Sequence, residues 1–162
     1  MIKTRRIIGI DPGSLRTGYG IVNLLGNAVT PVAWGVIRLG DSDSLPDRLY
    51  RIHTELSLLI EEHAPTEAAV EKVFMAKNAS SALKLGQARG AAIVTCRAYG
   101  LSVHEYSAKE IKLAATGYGA ASKEQVAGMV SRLLGLRASV PADASDALAM
   151  AFCRAVTREF PL

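Results

Sequence analysis

The chain has 162 residues, 49% of them hydrophobic, and a formal net charge of +4 at pH 7. That length suits one folded domain with a sizeable core, since domains commonly run to roughly 100–200 residues. No stretch approaches the roughly 18 uninterrupted apolar residues of a membrane span, and the basic start MIKTRR leads into only a short apolar run, so a soluble, cytoplasmic protein is expected. Cys96 and Cys153 stand far apart, without C-x-x-C spacing, and read as buried thiols suited to a reducing compartment.

The positive charge is unevenly spread. Between residues 71 and 137 there are ten Lys and Arg against four acids. A basic face of this kind is the electrostatic footprint of a nucleic-acid binder, although solvated lysines on ordinary helices give similar counts.

In chain order, the apolar run RIIGI delivers Asp11 into a turn of Pro12, Gly13 and Ser14, after which a second apolar run starts at Tyr19. Pro12 lacks the donor a ladder needs and Gly13 permits positive φ, so the first strand should stop at Asp11 with its carboxylate at a sheet end. There it can ligate a metal or simply accept N–H bonds from its own turn. Gly26-Asn27 separates the second strand from a third, Val29 to Leu39, which predicts an antiparallel meander. Ser44 is placed to cap a helix carrying Leu45, Leu49, Ile52, Leu56, Leu59 and Ile60 to about His63, and Ala64-Pro65 ends it. Glu67 to Val73 reads as a short strand that again presents an acid, Glu71, near its end.

Asn78 to Tyr99 predicts a long helix on which Ala82, Gly86 and Gly90 share a stripe. Glycine costs helix stability, so the stripe implies close approach of another backbone, from the sheet or from a partner subunit. Gly100 closes that helix, and Leu101 to Tyr106 makes a fifth strand. Ser107 with Glu110 and Ser122 with Gln125 have capping-box spacing at the starts of two further helices. Pro141 introduces the last helix, from about Ala142 to Thr157, which carries Asp143 and Asp146 on one face. Acids in a first turn complement the helix dipole, and Asp-x-x-Asp also has the spacing of a capping box.

Taken together, Asp11, Glu71, Asp143 and Asp146 come from three elements and converge if the first and fourth strands are neighbours. All-oxygen sites of that kind suit Mg²⁺ or Mn²⁺, and two such ions can activate water against a phosphodiester. His53, His63 and His104 lack metal-ligand spacing, and no dinucleotide fingerprint, P-loop or G-x-S-x-G elbow is present.

Three blocks then carry a resemblance over nearly the full length: IIGIDPGSLRTGYG at 7–20, VEKVFMAKNASSALKLGQARG at 70–90 and DASDALAMA at 143–151. On these the chain closely resembles the RuvC family of Holliday-junction resolvases, members of the ribonuclease-H-like superfamily. The resemblance implies an α/β fold with a mixed five-stranded sheet flanked by helices, and it assigns metal-binding catalysis to Asp11, Glu71, Asp143 and Asp146. It further implies a homodimer that uses Mg²⁺ or Mn²⁺ to nick two strands of like polarity symmetrically at a four-way DNA junction. The setting would be recombination and repair, with RuvA and RuvB as branch-migration partners. Phe74 would wedge against bases at the crossover or else be core, with Met75 and Lys77 beside it. Lys84, Arg89, Lys112 and Lys123 are candidate DNA contacts, the two last also being readable as solvated helix lysines. Arg154 stands where many members carry histidine and is a candidate phosphate contact.

Two other classes fit parts of the sequence. An actin-like or sugar-kinase-like ATPase also begins strand, Asp, Gly-rich turn, strand, but needs a second phosphate loop that is not found. A non-catalytic junction-binding scaffold would leave four clustered carboxylates repelling one another to no purpose.

Overall fold

The computed structural model describes residues 4–72 and 78–157. Three strands, β1 (Arg5–Asp11), β2 (Arg16–Leu25) and β3 (Ala28–Arg38), precede helix α1 (Leu45–His63), strand β4 (Glu67–Glu71) and helix α2 (Ala79–Ala98). Strand β5 (Ser102–Tyr106) and helices α3 (Ala108–Thr116), α4 (Lys123–Leu133) and α5 (Ala142–Val156) follow. The sheet order is β3-β2-β1-β4-β5. β1 is antiparallel to β2, and β2 to β3, whereas β4 and β5 run parallel to β1. Pro31 in β3 is tolerated because that strand is an edge, where a missing N–H costs no ladder bond.

Side chains alternate across the sheet and are buried on both sides. Ile8 and Ile10 of β1 pack with Ile52, Leu56 and Ile60 of α1 and with Ala88, Ala92 and Cys96 of α2. Ile7 lies on the other face with Leu148, Ala151 and Phe152 of α5, Ile111 of α3 and Val126 of α4. The helix starts follow the local chemistry expected of them. Ser44 accepts from the Asp47 N–H, and both Ser107/Glu110 and Ser122/Gln125 form complete capping boxes. Gly100, at φ +79°, turns the chain out of α2.

Some expectations change. β2 begins at Arg16 rather than Tyr19, because its ladder with β3 continues through Thr17–Ile37 to Arg16–Arg38. The sheet does not approach Gly86 and Gly90: among the described residues, nothing beyond the helix itself lies within 4 Å of a Cβ built on either glycine. The face of α2 that packs inward is Ala88, Ala92, Thr95 and Cys96, so the glycine stripe is rotated away from the sheet. The backbone that does approach a glycine stripe is α5, over Gly9, Gly18 and Gly20 of the sheet.

At the Arg5 end of the sheet, Glu67 is buried between two arginines. It accepts from Arg5 at 2.6 and 2.7 Å and from Arg154 Nε at 2.6 Å. The expectation that Arg154 contacts phosphate is therefore corrected. Its side chain is 7% exposed, and it pins α5 to β4 at the end of the sheet remote from Asp11. Burial raises the proton affinity of Glu67, but the hydrogen bonds and charges of Arg5 and Arg154 outweigh it and hold the carboxyl below its usual range. A carboxylate lowered in this way stabilises the fold above its unfolded value, and that stabilisation is lost as pH falls through the folded one. Glu67→Gln should accordingly cost about 2 kcal/mol at pH 7, with the deficit shrinking in acid, as read by urea denaturation at several pH values.

Candidate active site

The chemistry gathers at the opposite end of the same strands. Asp11 closes β1 opposite Gly18, and the parallel pairing of Ile10 with Val70 places Glu71 beside Asp11. Both acids project toward α5, since Ile10 and Val70, the residues before them, point into the α1/α2 side. The N-terminal turn of α5 lies directly against this edge. A Cβ on Gly18 would stand 2.0 Å from the Asp143 carbonyl oxygen, and one on Gly9 1.9 Å from that of Ala147. Only bare backbone permits so close a seat, which carries Asp143 and Asp146 to the end of β1.

The two ordinary explanations for these acids can be tested directly. Residue Pro141 is the N-cap of α5 and makes no side-chain cap bond, so the Asp143/Asp146 pair does not form a capping box. The proton affinity of Asp11 is set by burial and charges rather than by its own turn. Burial first, then Asp146, Asp143 and Glu71, raise its pKa to about 7 against the lowering influence of Lys123. Burial likewise raises Glu71, with Asp146 acting the same way and Lys123 and Lys112 opposing. Lys123 Nζ donates to Asp146 Oδ2 at 3.0 Å. That bond, followed by the charge of Asp146, raises the lysine's own pKa.

Among the described residues no three metal-ligating side chains close into a ready-made cluster. What the sheet end provides is a set of hard oxygen donors whose unbalanced repulsion a divalent cation would relieve, so the donor chemistry fits such an ion. Because the folded pKa of Asp11 is raised, its stability contribution is complete below the unfolded value and is lost as pH rises through about 7. Mg²⁺ should therefore raise Tm by several degrees at pH 8 and by much less at pH 5.5, measured by differential scanning fluorimetry against a metal-free control.

The other expected contacts are distributed as follows. Lys112 and Lys123 flank a cavity of about 70 Å³ beside Glu71 and Asp146, floored by Ile111, Val126 and Met150. Lys84 is exposed on α2. Arg89, expected to meet DNA, has its guanidinium turned onto the protein, with Nε donating to the Glu71 carbonyl at 3.0 Å and Nη2 paired with Glu105. Phe74, Met75 and Lys77 lie outside the described residues. Cys96 and Cys153 are buried, as expected, and burial pushes their thiols up to about 12 and about 11. His53 Nδ1 meets Thr95 Oγ1 at 2.9 Å. A larger cavity of about 880 Å³ surrounds Arg5 and Glu67, far from the four acids.

A mixed five-stranded sheet flanked by helices, with carboxylates gathered at one end, is the fold that the sequence resemblance implies. The model of the family described as crossover junction endodeoxyribonuclease RuvC matches residues 7–154, and the chain belongs to that family. A relative of that name from Saccharophagus degradans is 53% identical over 94% of this chain and 88% of its own length. One from Methylococcus capsulatus is 56% identical over 91% and 88%. A solved structure of Thermus thermophilus RuvC in complex with Holliday junction substrate is 33% identical, covers 93% of each chain and superposes with a TM-score of 0.88. The yeast mitochondrial Holliday junction resolvase Ydc2 shares the fold, with a TM-score of 0.69 at 15% identity over 96% of this chain and 79% of that one.

Proposed function

We propose that this chain is a Holliday-junction-resolving endonuclease that cuts by divalent-metal-dependent hydrolysis at Asp11, Glu71, Asp143 and Asp146. The observation that carries the reading is the seating of α5 on glycine, which aims two carboxylates at the end of the strand that carries a third. Mg²⁺ or Mn²⁺, two per site during the reaction, is the cofactor that the donor set favours. When bound, such ions polarise the phosphodiester and lower the proton affinity of the attacking water. The chain's own part is to hold the acids in register with the scissile phosphate. Lys112 and Lys123 line the cavity beside Glu71 and Asp146, where their charge would offset that of the phosphate.

The whole chain acts as one nuclease domain and works as a homodimer. The exposed face of α2 supports this, since Gly86 and Gly90 leave room for a second backbone beside Leu83 and Val94, 68% and 67% exposed. A two-fold enzyme suits paired symmetric nicks in strands of like polarity. Phe74, Met75, Lys77 and Lys84 are its further DNA contacts, RuvA and RuvB its partners, and the cytoplasm its place of action. Among the described residues no helix is long and apolar enough to cross a membrane.

The test is to incubate the protein with a synthetic four-way junction and with linear duplex, with and without Mg²⁺, and to map the nicks. Symmetric metal-dependent cuts confined to the junction are expected. Equal cutting of duplex would make it a general nuclease, and metal-independent binding without nicking would make it a scaffold.

A further inference from the structure

We propose that Arg89 is a positioning residue for the Glu71 carboxylate, acting through the peptide backbone from the opposite face of the sheet. The inference rests on the reading of Glu71 as a working acid and adds a residue that sequence motifs place among the DNA contacts. Arg89 lies midway along α2, and its side chain is only 20% exposed. Its Nε donates to the Glu71 carbonyl at 3.0 Å, and Nη2 pairs with the carboxylate of Glu105, the residue of β5 opposite Val70. One planar fork thus ties a helix to the ends of two strands.

The tie falls at the end of the β1–β4 pairing. The pairing of β1 with β4 ends at Ile10–Val70, one residue before Glu71, and the residue after Asp11 is Pro12, which has no N–H to offer the Glu71 carbonyl. On the other side, the Lys72 N–H donates to the Tyr106 carbonyl at 2.8 Å. Between them, Arg89 and that ladder bond fix the last peptide of β4, and the peptide fixes the direction in which the Glu71 side chain leaves the sheet. Arg89 itself belongs to the α1/α2 side, whereas the acids face α5, so it acts on Glu71 without entering the site.

A phosphate contact and a positioning clamp respond differently to substitution. An ammonium keeps the charge that a phosphate needs but cannot span a carbonyl and a carboxylate as a rigid guanidinium does. The experiment compares Arg89→Lys, Arg89→Gln and Glu105→Gln with the unaltered protein in three measurements. These are single-turnover nicking of a four-way junction at saturating enzyme, junction affinity in EDTA across a salt series, and Mn²⁺ binding followed by electron paramagnetic resonance. Both Arg89 variants should cut roughly ten- to a hundredfold more slowly and hold Mn²⁺ more weakly, with junction affinity and its salt slope unchanged. Glu105→Gln should show the same pattern more mildly, which keeps the test valid if Arg89→Gln does not fold.

Three results would overturn the proposal. The first is full cutting by Arg89→Lys. The second is weaker junction binding with a salt slope reduced by about one at an unchanged saturating rate, the mark of a phosphate contact. The third is a lowered Tm with normal cutting and Mn²⁺ binding, which would make the contact purely structural. A Glu71→Gln variant that cuts at the normal rate would overturn the role of Glu71 itself and is scored separately.

Discussion

Replacing Asp11 with asparagine should reduce junction nicking by about a thousandfold or more while junction affinity in EDTA stays within about twofold. The two halves of this expectation have different physical sources. On the proposed reading, cutting depends on a cation held by the carboxylates, and Asp11 has its pKa lifted to about 7 by burial and by Asp146, Asp143 and Glu71. Asparagine keeps the shape and removes the charge. Binding depends on phosphate contacts made by lysines and arginines elsewhere, which an uncharged residue at position 11 does not touch. The same variant should be more stable than the unaltered protein in metal-free buffer at pH 8, because it deletes a carboxylate that the fold holds at a raised pKa. Above about pH 7 the native Asp11 is ionised against its neighbours, and the gain from asparagine should vanish as pH falls below the unfolded carboxylate value. Retained cutting would remove Asp11 from the site, and lost stability at pH 8 would show that its charge is compensated in the folded state.

Local chemistry made much of this molecule legible in its sequence. Pro12 and Gly13 mark the end of β1, Ser44 marks the start of α1, and the two serine capping boxes mark α3 and α4. These are interactions within a few residues, so spacing alone specifies them. The four acids could be gathered because strand ends and helix starts are recognisable, and the end of β1 could be paired with β4 through the rule that crossovers return beside a neighbouring strand. Features that depend on how one element is rotated against another were not legible. Glycines on α2 and glycines on β1 and β2 look alike in sequence, yet Gly86 faces open space whereas Gly9, Gly18 and Gly20 lie under α5. The partners of long cationic side chains are illegible for a related reason. Arg154 and Arg89 reach acceptors 87 and 18 residues away, and nothing near them in sequence distinguishes an inward arginine from one that meets phosphate.

The glycines beneath α5 should prove as unforgiving as the acids. Gly9 and Gly20 are cross-strand partners, as are Asp11 and Gly18, so the helix rests on a floor of bare backbone that leads to the Asp11 carboxylate. In Gly9→Ala the added methyl would lie 1.9 Å from the Ala147 carbonyl oxygen and 2.7 Å from the Ala151 nitrogen. Neither atom is a side-chain tip that can swing aside, so the middle of the helix must lift. Overpacking of this kind should cost about 3 kcal/mol and lower Tm by roughly 10 °C. Gly18→Ala meets the Asp143 carbonyl at 2.0 Å, in the first turn of the helix rather than its centre. There the chain can yield more cheaply, but what moves is the turn that carries Asp143 and Asp146. Its stability loss should be smaller and its loss of cutting larger, about a hundredfold, because a displacement near 1 Å is enough to misalign a catalytic group. Gly86→Ala provides the contrast. With nothing beyond the helix itself within 4 Å among the described residues, and a helical backbone, alanine there should raise the stability of the isolated chain by about 0.5–1 kcal/mol and weaken self-association if α2 faces its partner. Thermal melts, nicking rates and sedimentation of the three variants separate these effects. A Gly9→Ala protein with an unchanged Tm would mean that α5 does not rest on the sheet as described.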